Sequence, residues 1–98
     1  MRVGILGAGA MGAVHAAAWA RLADVEIAGI AGRTPGRATA LAERFSARAF
    51  TDAITLLDDG TIDAVDITTP TASHRELVLA ALARQARPVR DAPRARAR

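Results

Sequence analysis

The stretch Arg2-Val3-Gly4-Ile5-Leu6-Gly7-Ala8-Gly9-Ala10-Met11-Gly12 decides the fold. Its first half is a short apolar run closed by a glycine, the pattern of a strand buried on both faces. Its second half carries Gly7-x-Gly9-x-x-Gly12 and opens into an alanine-rich segment from Ala13 to Leu22, with Val14, Trp19 and Leu22 at helical spacing. Such a glycine pattern is weak alone and becomes specific directly after a strand and before a helix. Gly7 permits a tight turn out of the strand, Gly9 leaves room for backbone to approach a pyrophosphate, and Gly12 lets the helix pack close. The helix N-terminus adds unpaired N–H groups and a partial positive charge. The competing explanation is a glycine-rich turn in a fold that binds nothing, which would spend conformational entropy without return. A Walker-type loop is excluded, because it needs Gly-Lys-Ser/Thr and the chain has no lysine.

Outward from this stretch the chain alternates. Val25–Ala31 reads as a second strand. Thr34 as N-cap and Pro35 at the first helical position start a helix to about Arg44, with Ala38, Leu41, Ala42 and Phe45 on one face. Arg48–Phe50 is a short third strand, Asp52 caps a short helix through Leu57, and Asp58-Asp59-Gly60 is a turn. Ile62–Thr68 is a fourth strand ended by Thr69-Pro70. Ser73-x-x-Glu76 fits a capping box for a helix to about Arg84, its apolar content being Leu77, Leu79, Ala80, Ala81 and Leu82. Strands alternating with helices predict βαβ units with right-handed crossovers. The expected fold is therefore α/β, a partial Rossmann-type doubly wound parallel sheet of about four strands and four helices before position 85. There is no internal repeat.

Ligands of such sheets sit outside the carboxyl ends of the strands. An acidic residue roughly 20 positions past the glycines would hold the ribose 2′-hydroxyl of NAD. This chain has Ala31-Gly32-Arg33-Thr34 there, with Arg37 one turn further. The missing carboxylate removes repulsion against a 2′-phosphate, and Arg33 offers it a charge-assisted contact, which favours NADP over NAD. The alternative for Arg33 and Arg37 is an ordinary solvated surface. Thr68, Thr69 and Pro70 occupy the same edge further along, and His74 lies in the first turn of the next helix.

The composition narrows the class. Of 98 residues, 13 are basic, 10 acidic and none cysteine, which excludes a disulfide framework, a thiolate zinc site and a cysteine nucleophile. No metal site is expected. No apolar run approaches the roughly 20 residues that cross a bilayer, and the N-terminus lacks a signal-peptide layout, so a cytoplasmic protein is expected. All basic residues are arginine. Residues 1–83 hold 7 Arg against 9 Asp/Glu, and residues 84–98 hold 6 Arg against 1 Asp. The pI near 11.3 thus belongs to the last segment. That segment interleaves no aromatic side chains, so nucleic-acid binding is not favoured.

Three stretches together resemble the glucose–fructose oxidoreductase, inositol dehydrogenase and rhizopine-catabolism (Gfo/Idh/MocA) family. They are Val3–Gly12 with His15, Gly32-Arg33-Thr34-Pro35-x-Arg37-Ala38, and Ala64-Val65-Asp66-Ile67-Thr68-Thr69-Pro70 with His74. The resemblance covers residues 1 to about 83. It implies an NAD(P)-dependent oxidoreductase acting on sugars, cyclitols or related polyols, in which a further α/β domain, missing here, holds most of the substrate site. It also implies that Thr68, Thr69, Pro70 and His74 line the cofactor near its nicotinamide end, alongside the phosphate contacts of Gly7, Gly9, Ala10, Met11 and Gly12 and the ribose-side contacts of Gly32, Arg33, Thr34 and Arg37. Helix-start packing is the alternative for His74, and His15 reads as structural.

The resemblance fails after the last helix. The family continues as Gly-Lys-His-Val-Leu-Cys-Glu-Lys-Pro-Leu-Ala, whose second Lys takes part in proton transfer; this chain has Arg84-Gln85-Ala86-Arg87-Pro88-Val89-Arg90-Asp91-Ala92-Pro93-Arg94. Codons compatible with that segment, read one base later, permit the family strand at every position except the proton-transfer Lys. We therefore expect residues 84–98 to be out-of-frame sequence without regular structure, following an incomplete cofactor-binding domain at 1–83. A gene whose neighbouring frame spells nothing like Gly-Lys-His-Val would refute the frameshift. No catalytic residue is assigned, and the chain alone is expected to be inactive. The alternatives are a non-catalytic dinucleotide-binding module and an inactive gene fragment.

Overall fold

The computed structural model describes residues 1–69, 71–84 and 87–89. The apolar run at the N-terminus forms β1 (Arg2–Leu6), and the glycine loop leads into α1 (Ala10–Ala20). There follow β2 (Glu26–Ala31), α2 (Pro35–Arg44), β3 (Arg48–Phe50), α3 (Ala53–Leu57), β4 (Ala64–Ile67), α4 (Thr71–Ala83) and β5 (Arg87–Val89). The five strands form one sheet in the order β3-β2-β1-β4-β5, and every pair is parallel. The chain leaves the glycine-bearing β1 on one side toward β2 and β3, then returns across it to β4. That reversal makes the carboxyl end of β1 the topological switch point.

Side chains on the two faces of the sheet build two cores, with a register shift in the pairing of β1 and β2 between Val3 and Gly4. Val3, Ile5, Ile27 and Ile30 pack against Ala16 and Trp19 of α1 and Leu41 and Ala42 of α2. Leu6, Ala28, Ala31, Val65 and Ile67 pack on the other face against Leu56 and Leu57 of α3 and Ala81 of α4. Leu56 is fully buried, seated where β1 and β2 carry Gly4 and Gly29. A Cβ on Gly4 would come within 2.6 Å of Leu56 Cδ2.

Several expectations need correction. A fifth strand exists: Arg87–Val89 pairs with Ala64–Asp66, so part of the segment expected to lack regular structure extends the sheet. A strand edge offers evenly spaced donors and acceptors whatever the side chains of its partner. Residues 85, 86 and 90–98 of that segment lie outside the described residues. Helix α4 begins at Thr71, which places Ser73 inside the first turn and not at the N-cap of a capping box. Thr34 occupies the N-cap of α2 with extended backbone but makes no side-chain cap. Val14, at helical spacing in α1, and Leu79 and Leu82, from the apolar content of α4, are exposed.

Candidate functional site

Backbone hydrogen bonds carry the sheet pattern past the strand ends and align three loops. Gly7 N–H donates to Ala31 O at 2.8 Å, Gly32 N–H to Phe50 O at 3.3 Å, and Thr68 N–H to Leu6 O at 2.8 Å. Gly7, Gly32 and Thr68 therefore stand side by side at the carboxyl edge. Gly7 has φ 123°, a left-handed conformation that disfavours any side chain. A Cβ there would also overlap the Thr68 hydroxyl. That hydroxyl donates to Leu6 O at 3.1 Å, closing the seam between the first and fourth strand ends.

Gly12 sits so close to the turn that a Cβ would overlap the Gly7 carbonyl oxygen. Gly9 is the opposite case: a Cβ there would meet nothing within 4 Å. It is the N-cap of α1, offers no side-chain cap, and no acidic residue follows in the first turn. Helix α1 thus begins beside open space at Gly9, with its first N–H groups lacking a side-chain cap and no internal carboxylate to neutralise the helix dipole. Such a terminus is suited to an anion.

A cleft of about 770 Å³ lies at this edge, within the size range of small-molecule sites. Gly7, Gly9, Gly32, Arg33, Thr68 and Thr69 all line it. The Thr69 hydroxyl oxygen is buried and has no hydrogen-bond partner among the described residues. A second cleft of about 430 Å³ opens between α1 and α2, lined in part by Gly9, Ala10, Arg37 and Arg44. Arg33 and Arg37 therefore flank the glycine loop in different clefts.

The other candidate residues stand elsewhere. Met11 is exposed and lines neither cleft, as does Thr34. Gly12 is buried beneath the loop. His74 is half-buried and its Nε2–H donates to Thr69 O at 2.5 Å, a bond that ties the start of α4 to the loop before it. Pro70 lies outside the described residues. Besides Leu6, Ala8 and Ala31 beside the loop, sequence reasoning missed Asp52, Ala53, Glu76 and Leu77, which also line the larger cleft. In the sequence Asp52 and Glu76 carry only the signals of helix starts. The available clue was that the residues after the third strand also belong to the carboxyl edge.

Behind the loop lies a buried acid. Asp66 on β4 is fully buried, and its Oδ2 accepts from Trp19 Nε1–H at 2.7 Å and His15 Nδ1–H at 2.8 Å. Both donors are on α1, so the carboxylate fixes that helix against the sheet. His15 is thereby structural, as its place on the helix suggested. Among the described residues there is no group of three or more His, Cys, Asp or Glu arranged to hold a metal ion, and no helix long and apolar enough to cross a membrane.

The family model of oxidoreductases with an NAD-binding Rossmann fold, Gfo/Idh/MocA, matches residues 1–93. The chain belongs to the Gfo/Idh/MocA family. It is 42% identical over 79 residues to an inositol 2-dehydrogenase of Rhizobium meliloti (strain 1021), covering 80% of this chain and 23% of the relative. The solved myo-inositol dehydrogenase of Lactobacillus casei, in complex with NAD(H) and myo-inositol, superposes with a TM-score of 0.84 at 30% identity, covering 90% of this chain and 27% of that one. A 3-ketoreductase of Actinomadura kijaniata, KijD10, in complex with NADP, gives 0.86 at 27% identity, covering 91% and 28%. The chain spans about a quarter of the length of the curated relatives it matches. It is an NAD-binding Rossmann domain of this family by sequence and by fold.

Proposed function

We propose that the chain holds a nicotinamide dinucleotide in the larger cleft, prefers NADP to NAD, and represents the cofactor-binding part of an oxidoreductase acting on a sugar, cyclitol or related polyol. The observation that carries the binding is the pairing of Gly9 with α1. Open space meets uncapped N–H groups there, while Gly7 and Gly12 are held glycine by overlaps with Thr68 and the Gly7 carbonyl. The residues present fit a dinucleotide: α1 takes the pyrophosphate, Gly32 and Arg33 the adenine-side ribose, and the Thr69 hydroxyl, unpaired among the described residues, a polar group further along. A bound nicotinamide would supply hydride-transfer chemistry; this chain's own residues bind and orient it. The substrate class follows the names of the relatives, several of which are inositol dehydrogenases.

Preference for NADP rests on Ala31-Gly32-Arg33 at the end of β2, where a cation stands in place of a carboxylate. Calorimetric titration with NADPH and NADH tests it. Arg33→Ala should weaken NADPH roughly tenfold and change NADH by no more than about twofold. Equal losses for both cofactors would remove the 2′-phosphate assignment.

A non-catalytic dinucleotide-binding module is the second reading, favoured by the lack of any lysine where the family places its proton-transfer Lys. Hydride transfer also needs a substrate held against the cofactor by other groups. Both readings expect cofactor binding without turnover from these 98 residues. Oxidation of a polyol by the purified chain would overturn that expectation.

A further inference from the structure

The larger cleft has two ends, set by the strand order. Thr68 and Thr69 follow β4, on one side of the glycine loop. Gly32 and Arg33 follow β2, and Asp52 and Ala53 follow β3, on the other. Glu76 and Leu77 wall the same cleft from α4. Helices α3 and α4 lie side by side, joined at their far ends by the Arg84 Nε–H to Asp58 Oδ1 bond at 2.7 Å. Their N-terminal ends therefore flank the cleft together. If the ribose stands at Gly32, the base extends past it toward Ala53 and Leu77, which offer apolar walls to an aromatic ring.

Two carboxylates reach this end, and their states differ. Asp52 is already engaged as the N-cap of α3: Oδ1 accepts from Thr55 N–H at 2.8 Å, and both oxygens accept from the Thr55 hydroxyl. The Thr55 backbone bond, then its hydroxyl, hold the Asp52 carboxyl below the usual range. Glu76 is exposed and has no hydrogen-bond or ion-pair partner among the described residues. An ionised carboxylate only accepts hydrogen bonds. The ring edge that suits it carries an exocyclic amine, and adenine presents one while hypoxanthine presents a carbonyl oxygen in its place.

We propose that Glu76 is a base-specificity residue: it accepts a hydrogen bond from the exocyclic amine of a purine in the larger cleft and rejects a carbonyl-bearing base by leaving two acceptors face to face. This deepens the dinucleotide reading and rests on it. The two fail in distinguishable ways.

The test compares whichever of NADH and NADPH binds more tightly with its deamino analogue, which has hypoxanthine in place of adenine. The full chain and Glu76→Gln are titrated by calorimetry, with circular dichroism confirming that the variant is folded. The parent should bind the adenine cofactor about tenfold more tightly than the analogue. Glu76→Gln should narrow or reverse that preference, because its amide can rotate to donate to the carbonyl oxygen while the acid cannot. Equal affinities in the parent overturn the assignment alone, as does an equal loss for both ligands in the variant. Absence of binding by either ligand overturns the dinucleotide reading and this one with it.

Discussion

Gly7 and Gly9 respond in opposite ways to a side chain, and the contrast separates folding from binding. Gly7→Ala places a Cβ at φ 123° against the Thr68 hydroxyl. It should lower stability by about 1–3 kcal/mol in urea unfolding. Gly9→Ala meets nothing within 4 Å, and its backbone lies at φ −81°, which alanine adopts freely. Stability should change by less than about 0.5 kcal/mol, while NADPH affinity falls roughly tenfold because the methyl fills the phosphate cradle. A Gly9→Ala chain that binds as well as its parent would show that the cradle holds no phosphate. The motif alone assigned a separate task to each glycine, and the tertiary contacts reveal which tasks are enforced by overlap.

At the scale of elements, α1 is held by chemistry as much as by packing. Its apolar surface is mostly alanine, and only Gly12, Ala16 and Trp19 are buried. Asp66 compensates by accepting from both His15 and Trp19. Asp66→Ala leaves two donors without their acceptor at a fully buried position, so urea unfolding should show a loss of about 3 kcal/mol. A loss below about 1 kcal/mol would mean that water or rearrangement replaces the carboxylate. The faces of α1 and α4 were the least legible part of the sequence. Between Leu77 and Leu82 every residue is apolar, so periodicity cannot choose a side. Packing against the sheet takes Leu77, Val78, Ala80 and Ala81 and leaves Leu79 and Leu82 outside. By contrast α2, with charged residues between its apolar positions, buries Ala38, Leu41 and Ala42 as its pattern predicts.

For the whole molecule the informative cut is at the end of α4. A chain ending at Ala83 loses β5 and the Arg84–Asp58 ion pair, and β4 becomes an open edge. An exposed pair of this kind contributes little, roughly 0–1 kcal/mol. The lost strand pairing is the larger effect, so the thermal midpoint should fall. Dinucleotide affinity should stay within about twofold, because the residues lining both clefts all precede position 78. Loss of binding without loss of fold in the shortened chain would place part of the cofactor site beyond α4. The basic terminal segment, which dominates the pI, has no part in this expectation.

The sequence by itself determined the strand–glycine–helix unit, the alternation that makes the sheet parallel, and the family, because these depend on local order: apolar runs, glycine spacing and turn residues. It also marked Gly32, Arg33, Thr68 and Thr69 through their positions at strand ends. Tertiary structure alone decided what stands across the cleft from them. Asp52 and Glu76 are 24 positions apart and carry signals of helix starts; only the packing of α3 beside α4 puts both on one wall. The same holds for Asp66, which reads as an odd acid in an apolar strand until α1 brings His15 and Trp19 to it. Periodicity reports which residues share an element, whereas a binding wall is assembled from several elements whose relative placement no single segment encodes.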